Sequence, residues 1–166
     1  MNPVTHAATA LLLAAATASS ALASDDEAKI RALEDRFAAA VNAGDVDGIM
    51  KNYAADESLL VFDVVPPRQH RGAEAYREAW LRFFASFEGT PKLAIADLGI
   101  VTDGTLAFSH SVVHVTGTSA AGRPVDRTVR VTAGYRKIRG SWLKVLEHIS
   151  VPVDPATGTA DMTSKE

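Results

Sequence analysis

The first half of the chain repeats hydrophobic residues at helical spacing in three separate segments. The first segment stops at Gly44, the second follows the capping residue Asp45, and the third begins at Gly72. Between the second and third segments, residues 59–62 form a short apolar run that predicts a strand. The residues predicted to face inward from the three helices are Ile30, Leu33, Phe37, Ala40 and Val41, then Val46, Ile49, Met50 and Tyr53, then Tyr76, Trp80, Phe83, Phe84 and Phe87.

From Pro91 onward the hydrophobic period changes from about 3.6 to about 2 residues. This alternation predicts four long antiparallel strands joined by turns that contain glycine. We therefore expect an α+β fold in which three N-terminal helices pack on a curved, mainly antiparallel sheet. The predicted strands cover about residues 92–101, 104–117, 124–138 and 141–151.

Both faces of the later strands are substantially apolar. An antiparallel sheet with one wet face alternates cleanly, so this pattern indicates that each face is covered. Three helices can cover only one face, and a second copy of the chain is the expected cover for the other. The residues expected at this two-fold interface, subject to the strand register, are Val113, Val115, Leu143, Val145 and Ile149.

Composition narrows the class of protein. The 166 residues are 47% hydrophobic and 22% charged, which suits a globular domain rather than a disordered chain. The absence of cysteine excludes a disulfide scaffold and a thiolate metal site. With 17 basic against 20 acidic residues, nothing indicates a nucleic-acid surface. One domain is expected over residues 24–153, followed by a polar, flexible tail over residues 154–166.

Residues 1–23 have the pattern of a cleaved signal peptide. An apolar run from Ala7 to Ala18 precedes Ala21 and Ala23, whose small-x-small spacing favours cleavage after Ala23. The first six residues carry no Lys or Arg, which leaves a buried or frayed N-terminal helix as the alternative. Export predicts a periplasmic or secreted domain with no membrane anchor after cleavage.

Several short motifs follow one another over residues 26–153. They are Phe37-x3-Val41-Asn42-Ala43-Gly44-Asp45-x-Asp47-Gly48-x3-Asn52-Tyr53-Ala54-x-Asp56, Arg71-Gly72-x3-Tyr76-Arg77-x2-Trp80, Gly117-Thr118-x3-Gly122, Arg130-Val131-Thr132 with Arg136-Lys137, and Gly140-x-Trp142-x5-His148-x-Ser150-x-Pro152. Their order and spacing resemble those of the SnoaL-like, ketosteroid-isomerase-like branch of the nuclear transport factor 2-like superfamily. The resemblance implies a cone-shaped α+β barrel with an internal cavity, usually dimeric through the outer face of the sheet. Members of that superfamily include isomerases, polyketide cyclases, dehydratases and association domains, so the fold does not assign one function.

The ketosteroid isomerase site, carried over residue by residue, is mostly missing. That site pairs a carboxylate base with an oxyanion hole made of a tyrosine and a protonated aspartic acid. The family tyrosine aligns with Phe37, the base near Val61, and the oxyanion aspartic acid near Gly134. Asp63, two residues beyond Val61, shares its face in a regular strand and could serve as the base. Ordinary ketosteroid isomerase activity is therefore not expected.

Three residues are candidate catalytic groups, namely Asp63, His110 and His148. Asp63 ends an apolar strand, where it either caps the turn before Pro66 or faces the cavity. Tight hairpins would place His110, Val131 and His148 in one row across the sheet, although a bulge would swap the faces. The alternative for each histidine is a structural place in the core or interface.

Candidate ligand-binding residues are the polar or aromatic groups that could line such a cavity. Arg130 either holds an anionic ligand or forms an ion pair with Glu147 on the neighbouring strand. His110 and His114 cannot share a metal ion, because four strand residues span about 13 Å. No cofactor and no metal are expected. The ligand-binding candidates are Tyr53, Trp80, His114, Arg130 and Tyr135.

The sequence therefore predicts an exported, cavity-bearing domain that binds a small, largely apolar molecule. If the domain is an enzyme, cofactor-independent acid–base chemistry of the isomerase, cyclase or dehydratase kind is expected. The alternative is a dimeric accessory or interaction module without catalytic activity. An enzyme should keep His or Asp groups inside an open cavity, whereas a module should fill the cavity with Trp and Phe.

Overall fold

The computed structural model describes residues 25–164. The expected signal peptide over residues 1–23 and its cleavage site lie outside the described residues. None of the helices between residues 25 and 164 is long and apolar enough to span a membrane. The helices are α1 (residues 25–43), α2 (Val46–Met50) and α3 (Ala73–Ala85), and the strands are β1 (Leu60–Phe62), β2 (His70–Arg71), β3 (Lys92–Thr102), β4 (Leu106–Thr118), β5 (Pro124–Ile138) and β6 (Ser141–Ser150).

The six strands form one sheet in the order β2-β1-β6-β5-β4-β3. All neighbouring pairs are antiparallel except β1 and β6, which are parallel. The predicted α+β fold is confirmed, and each of the four long strands begins and ends within two residues of its predicted bounds. β2 is an addition that the sequence pattern did not indicate, because two residues are too few to show a period.

The predicted cross-strand row of His110, Val131 and His148 is wrong by one residue. His110 lies opposite Thr132, and Thr132 lies opposite His148. The pairing of β4 with β5 is offset by one residue from the predicted one, and the register between β5 and β6 shifts between Gly134 and Tyr135, where a bulge interrupts the ladder. A one-residue shift exchanges the two faces of a strand, so Val131 and the histidines face opposite sides of the sheet.

The helices cover one face of the sheet, which we call the inner face. The main core cluster lies between them and includes Phe37, Tyr53, Trp80 and Val113. The expected interface residues Val113, Val115 and Ile149 are on this inner face, where they line a cavity. That part of the interface prediction is therefore wrong, for the same reason of register.

The opposite, outer face carries exposed apolar side chains. Val101 and Phe108 lie opposite each other on β3 and β4 and are 56% and 51% exposed. Gly134 and Leu146 continue the row across β5 and β6. The row from Val101 to Leu146 is uncovered within the single chain.

After β6 the chain folds back along β5. Val153 and Ala160 form an isolated antiparallel bridge, and the carbonyl of Met162 accepts a 2.7 Å hydrogen bond from the Thr128 amide. β6 ends opposite Arg130, so the C-terminal segment occupies the free edge beyond that point. Within the segment expected to be a flexible tail, Met162 thus lies against the edge of β5, whereas most of residues 154–164 are exposed to solvent.

Candidate functional site

A cavity of about 570 Å³ lies between α1, α3 and the inner face of the sheet. This volume is within the usual range of small-molecule sites. Aromatic and aliphatic side chains form most of the wall, which favours an apolar ligand. These side chains include Phe37, Trp80, Phe83, Phe87, Leu93, Ile95, Val113, Val115, Val129, Val131 and Ile149.

One end of the cavity holds a buried group of three charges, which we call the charged cluster. It consists of Glu34 on α1 and of Lys144 and Glu147 on β6. The ammonium nitrogen of Lys144 lies 3.1 Å from a Glu34 oxygen and 3.0 Å from a Glu147 oxygen. It also lies 3.9 Å from the centre of the Phe37 ring, a cation–π contact. Two carboxylates and one ammonium thus share a space that water hardly reaches.

Three buried tyrosines complete the hydrogen bonding of the carboxylates. Glu147 accepts from the hydroxyls of Tyr53 at 3.0 Å and Tyr76 at 2.7 Å. Glu34 accepts from the Tyr135 hydroxyl at 2.6 Å. A buried carboxylate is tolerated only when such donors replace water, so the tyrosines hold both carboxylates in place.

The enclosure shifts the acidities of these groups. Burial and the neighbouring Glu147 carboxylate raise the pKa of Tyr53 and of Tyr76 well above the usual value. Burial and the Glu34 carboxylate raise the pKa of Tyr135 in the same way. Burial alone would lower the pKa of Lys144, but the two carboxylates outweigh burial and raise it. The tyrosines are therefore neutral donors and Lys144 is a cation at neutral pH.

Asp63 and His70 lie beside Tyr76 in the same cavity. One oxygen of Asp63 accepts a 2.6 Å hydrogen bond from the Val64 amide, as expected for a turn-capping carboxylate. The other oxygen lies 3.9 Å from Nε2 of the buried His70. Both alternatives for Asp63 therefore hold, because it caps the turn and also lines the cavity. We call Asp63, His70, Tyr76 and the charged cluster the polar end of the cavity.

The other sequence-predicted site residues divide between the two faces of the sheet. Trp80 lines the cavity, whereas Tyr53 and Tyr135 lie behind its wall and reach it through the carboxylates they bind. His110, His114, His148 and Arg130 lie outside the cavity lining, on strand positions that face outward.

The outward-facing residues have surroundings of their own. His114 bonds with the exposed Asp126 at 2.6 Å, and the His148 ring packs edge-on against Phe62. Arg130 lies opposite Ser150, whereas Glu147 faces inward to Lys144. The expected Arg130–Glu147 ion pair is therefore wrong, again because of the shifted register.

Sequence reasoning missed Glu34, Lys144, Glu147, His70 and Tyr76 as site residues. For Glu34 a signal was available, since it stands four residues after Ile30 and three before Phe37 on the inward stripe of α1. Tyr76 was expected to face inward, but only as a core residue. His70, Lys144 and Glu147 carry no local signal, because strand pairing determines the face of the sheet to which a strand side chain points.

The geometry also bears on metals and on the steroid isomerase comparison. Within residues 25–164, no three His, Cys, Asp or Glu side chains come together to hold a metal ion. Phe37 lines the cavity without a hydroxyl to donate. Gly134 lies opposite Phe108 and Leu146 on the outer face, so a side chain there would not reach the cavity.

Solved structures share this architecture. A nuclear transport factor 2-like protein from Pseudomonas putida is 29% identical, with a TM-score of 0.77 over 86% of this chain and 98% of that one. A nuclear transport factor 2-like superfamily protein from Salmonella enterica is 18% identical, with a TM-score of 0.72 over 83% and 99%. A ketosteroid isomerase-like protein from Erwinia carotovora is 22% identical, with a TM-score of 0.63 over 74% and 93%.

The match to a family extends over most of the domain. No protein with a curated description matches the chain. The model of the SnoaL-like domain matches residues 30–154, which include every strand and the whole charged cluster. The chain therefore belongs to the family of SnoaL-like domains, within the nuclear transport factor 2-like fold.

Proposed function

We propose that this domain binds a small, largely apolar molecule in its cavity and moves a proton on it without a cofactor. The observation that carries the proposal is the pairing of Asp63 with His70 inside a cavity whose remaining wall is mostly apolar. A carboxylate and an imidazole in a pocket of this kind are the groups that general acid–base catalysis uses.

The geometry supports a division of roles within the polar end. The Asp63 oxygen that faces His70 accepts no hydrogen bond from a backbone amide of residues 25–164 and can take a proton from a carbon next to a carbonyl. Returning that proton to another atom of the same molecule makes the reaction an isomerisation, with no oxidant or reductant. Lys144 uses two of its three N–H groups on Glu34 and Glu147, and the third can donate to the carbonyl oxygen as charge develops there.

Proton exchange with solvent tests the chemical part of the proposal. The protein is incubated in deuterated water with a panel of apolar ketones, and deuterium uptake next to the carbonyl is followed by NMR. Asp63→Asn should lower the exchange rate by about 10²-fold or more, the usual contribution of a positioned base. Asp35→Asn, on the exposed side of α1, serves as the matched control and should leave the rate unchanged.

The outcomes separate binding from catalysis. Exchange that survives in Asp63→Asn but is lost in His110→Asn would return the catalytic role to the outer-face histidine and reject our assignment. If native mass spectrometry shows ketones bound by the wild-type protein and no exchange occurs, the domain is a binding protein and the chemical proposal fails. If no member of the panel binds, the cavity proposal fails as a whole.

A dimeric interaction module is the second candidate, and one observation favours it. The outer face exposes Val101, Phe108 and Leu146 in a single row across the sheet, an arrangement typical of a protein interface. The two candidates are compatible, since the cavity and this row lie on opposite faces. A module alone, however, gives no reason for a cavity of about 570 Å³ that ends in ionised groups.

A further inference from the structure

The cavity changes character along its length. On β5, Ala133 lies opposite Glu147 in the charged cluster, and Arg127 lies six residues before it on the same inner face. Six strand residues span about 20 Å, and the inward residues between these two positions are Val129 and Val131. The cavity thus runs from a carboxylate-rich end, through an aliphatic middle, to an arginine.

Arg127 is a solvent-exposed cation at one end of the cavity, without a partner in the described part of the chain. Its guanidinium makes no hydrogen bond and no ion pair with any residue between 25 and 164, although it lines the cavity. Arg77 and Lys137, by contrast, are paired with Asp47 and Asp26. Next to Arg127, Met162 of the C-terminal segment lines the same end.

A second guanidinium reaches this end from α3. The helix begins beside the polar end, where Tyr76 binds Glu147, and Arg82 follows about 9 Å further along its axis. The C-terminal end of α3 is joined to the end of β4, where the Ala120 amide donates to the Ser86 carbonyl at 2.8 Å. Arg82 lines the cavity and its carboxylate partner, Glu78, is a solvent-exposed neighbour at 3.4 Å. Arg82 and Arg127 define what we call the basic end.

Because of these charges, the two ends of the cavity interact differently with the anionic group of an acidic ligand. At the polar end an anion would meet Glu34, Glu147 and Asp63 with only Lys144 to offset them, so it is repelled. At the basic end it would meet two guanidinium groups, whose planar forks match an oxyanion. We propose that the ligand is an amphiphilic acid, with its carboxylate or similar oxyanion at Arg127 and its apolar body extending toward Asp63. This inference rests on the proposed binding function and specifies its ligand class and orientation.

The test compares two probes that differ only in the head group. Decanoate and decanol are titrated below their aggregation concentrations into the wild-type protein, and binding is measured by calorimetry. Decanoate should bind at least tenfold more tightly than decanol. Arg127→Gln should raise the Kd of decanoate about tenfold and leave that of decanol within twofold, whereas Arg127→Lys should restore part of the affinity. Arg136→Gln is the matched control, because it lies on the same strand but on the outer face.

Each result decides between named possibilities. The acid assignment is overturned if the two probes bind with equal affinity, or if Arg127→Gln binds decanoate as Arg136→Gln does. In either case, binding of decanol to the wild-type protein still supports the cavity proposal. Arg127→Gln could also lose binding of both probes while its urea midpoint stays unchanged, which means that the fold is intact. Arg127 would then shape the cavity wall and would not bind the head group, and the acid assignment would be overturned. If wild-type protein binds neither probe, the acid assignment and the cavity proposal fail together.

Discussion

Lys144 and Glu147 are three residues apart on β6, yet their charged atoms lie 3.0 Å from each other on the inner face of the sheet. Residues three apart in a regular strand point to opposite faces. Here Tyr135 pairs with Lys144, whereas its neighbour Gly134 pairs with Leu146. Strand β6 therefore carries one extra residue between Lys144 and Leu146. This bulge turns both side chains inward and thereby creates the charged cluster.

Removing the cation should destabilise the fold. In Lys144→Met, the carboxylates of Glu34 and Glu147 are left buried without a counter-charge, which costs about 3–5 kcal/mol in comparable cases. Urea unfolding followed by circular dichroism measures the free energy of unfolding. Lys51→Met, at an exposed position, is the control and should change that free energy by less than about 0.5 kcal/mol. Equal stability of the two variants would mean that the cluster adds nothing.

Alkaline pH should unfold the protein, and tyrosine absorbance should report it. The chain has three tyrosines, and Tyr53, Tyr76 and Tyr135 are all buried with raised pKa values. In the unfolded chain they ionise near their usual pKa of 10, so unfolding releases protons and stability falls as pH rises above about 10. The raised pKa of Lys144 acts in the same direction. We expect tyrosinate absorbance to appear only together with the loss of circular dichroism, and gradual ionisation in the folded protein would contradict this.

Tryptophan fluorescence should report ligand binding from one position. The chain has two tryptophans, of which Trp80 lines the cavity and Trp142 lies in a separate core cluster where it donates to Asp26 at 3.0 Å. Addition of a cavity ligand such as decanol should change the emission of wild-type protein and of Trp142→Phe. The change should be absent in Trp80→Phe. A response that follows Trp142 would place the ligand elsewhere.

The outer face should mediate a two-fold dimer, a proposal that we retain with corrected residues. Phe108 is 51% exposed in the single chain and sits in the apolar row from Val101 to Leu146. Light scattering at micromolar concentration should give about twice the mass of one chain. Phe108→Lys should give monomers or aggregates, because an unpaired buried charge costs several kcal/mol. Leu81→Lys, equally exposed but on α3, should remain dimeric. Wild-type monomers would reject the dimer.

Export is a proposal that N-terminal sequencing can decide. The apolar run and the Ala21 and Ala23 pair predict that protein from its native host begins at Ser24 or within two residues of it. Protein recovered with Met1 intact would reject both cleavage and the periplasmic or secreted location.

The elements of this fold could be predicted because each has its own local period. The stripe from Ile30 to Val41 and the alternation of β4 need no knowledge of distant residues. The site could not be predicted in this way, since the direction of a strand side chain depends on pairing. The β4–β5 register differs by one residue from the predicted register, and a bulge next to Lys144 shifts β6 against β5, so the histidines lie on the face away from the cavity. The sequence left Asp63 open between a turn cap and a cavity residue, because it follows the end of β1, and in the structure it caps the turn and lines the cavity.

The position of β6 also determines when the molecule can assemble. The strand lies between β1 and β5, so the last long strand to leave the ribosome is the one that connects the two halves of the sheet. Until residues 141–150 emerge, β1 has only the two residues of β2 as a partner, and Glu34 lacks Lys144, the cation with which it pairs. Contacts between such distant parts of a chain are slow to form. Completion of the barrel is thus coupled to completion of synthesis, and fragments that end before β6 should remain unfolded.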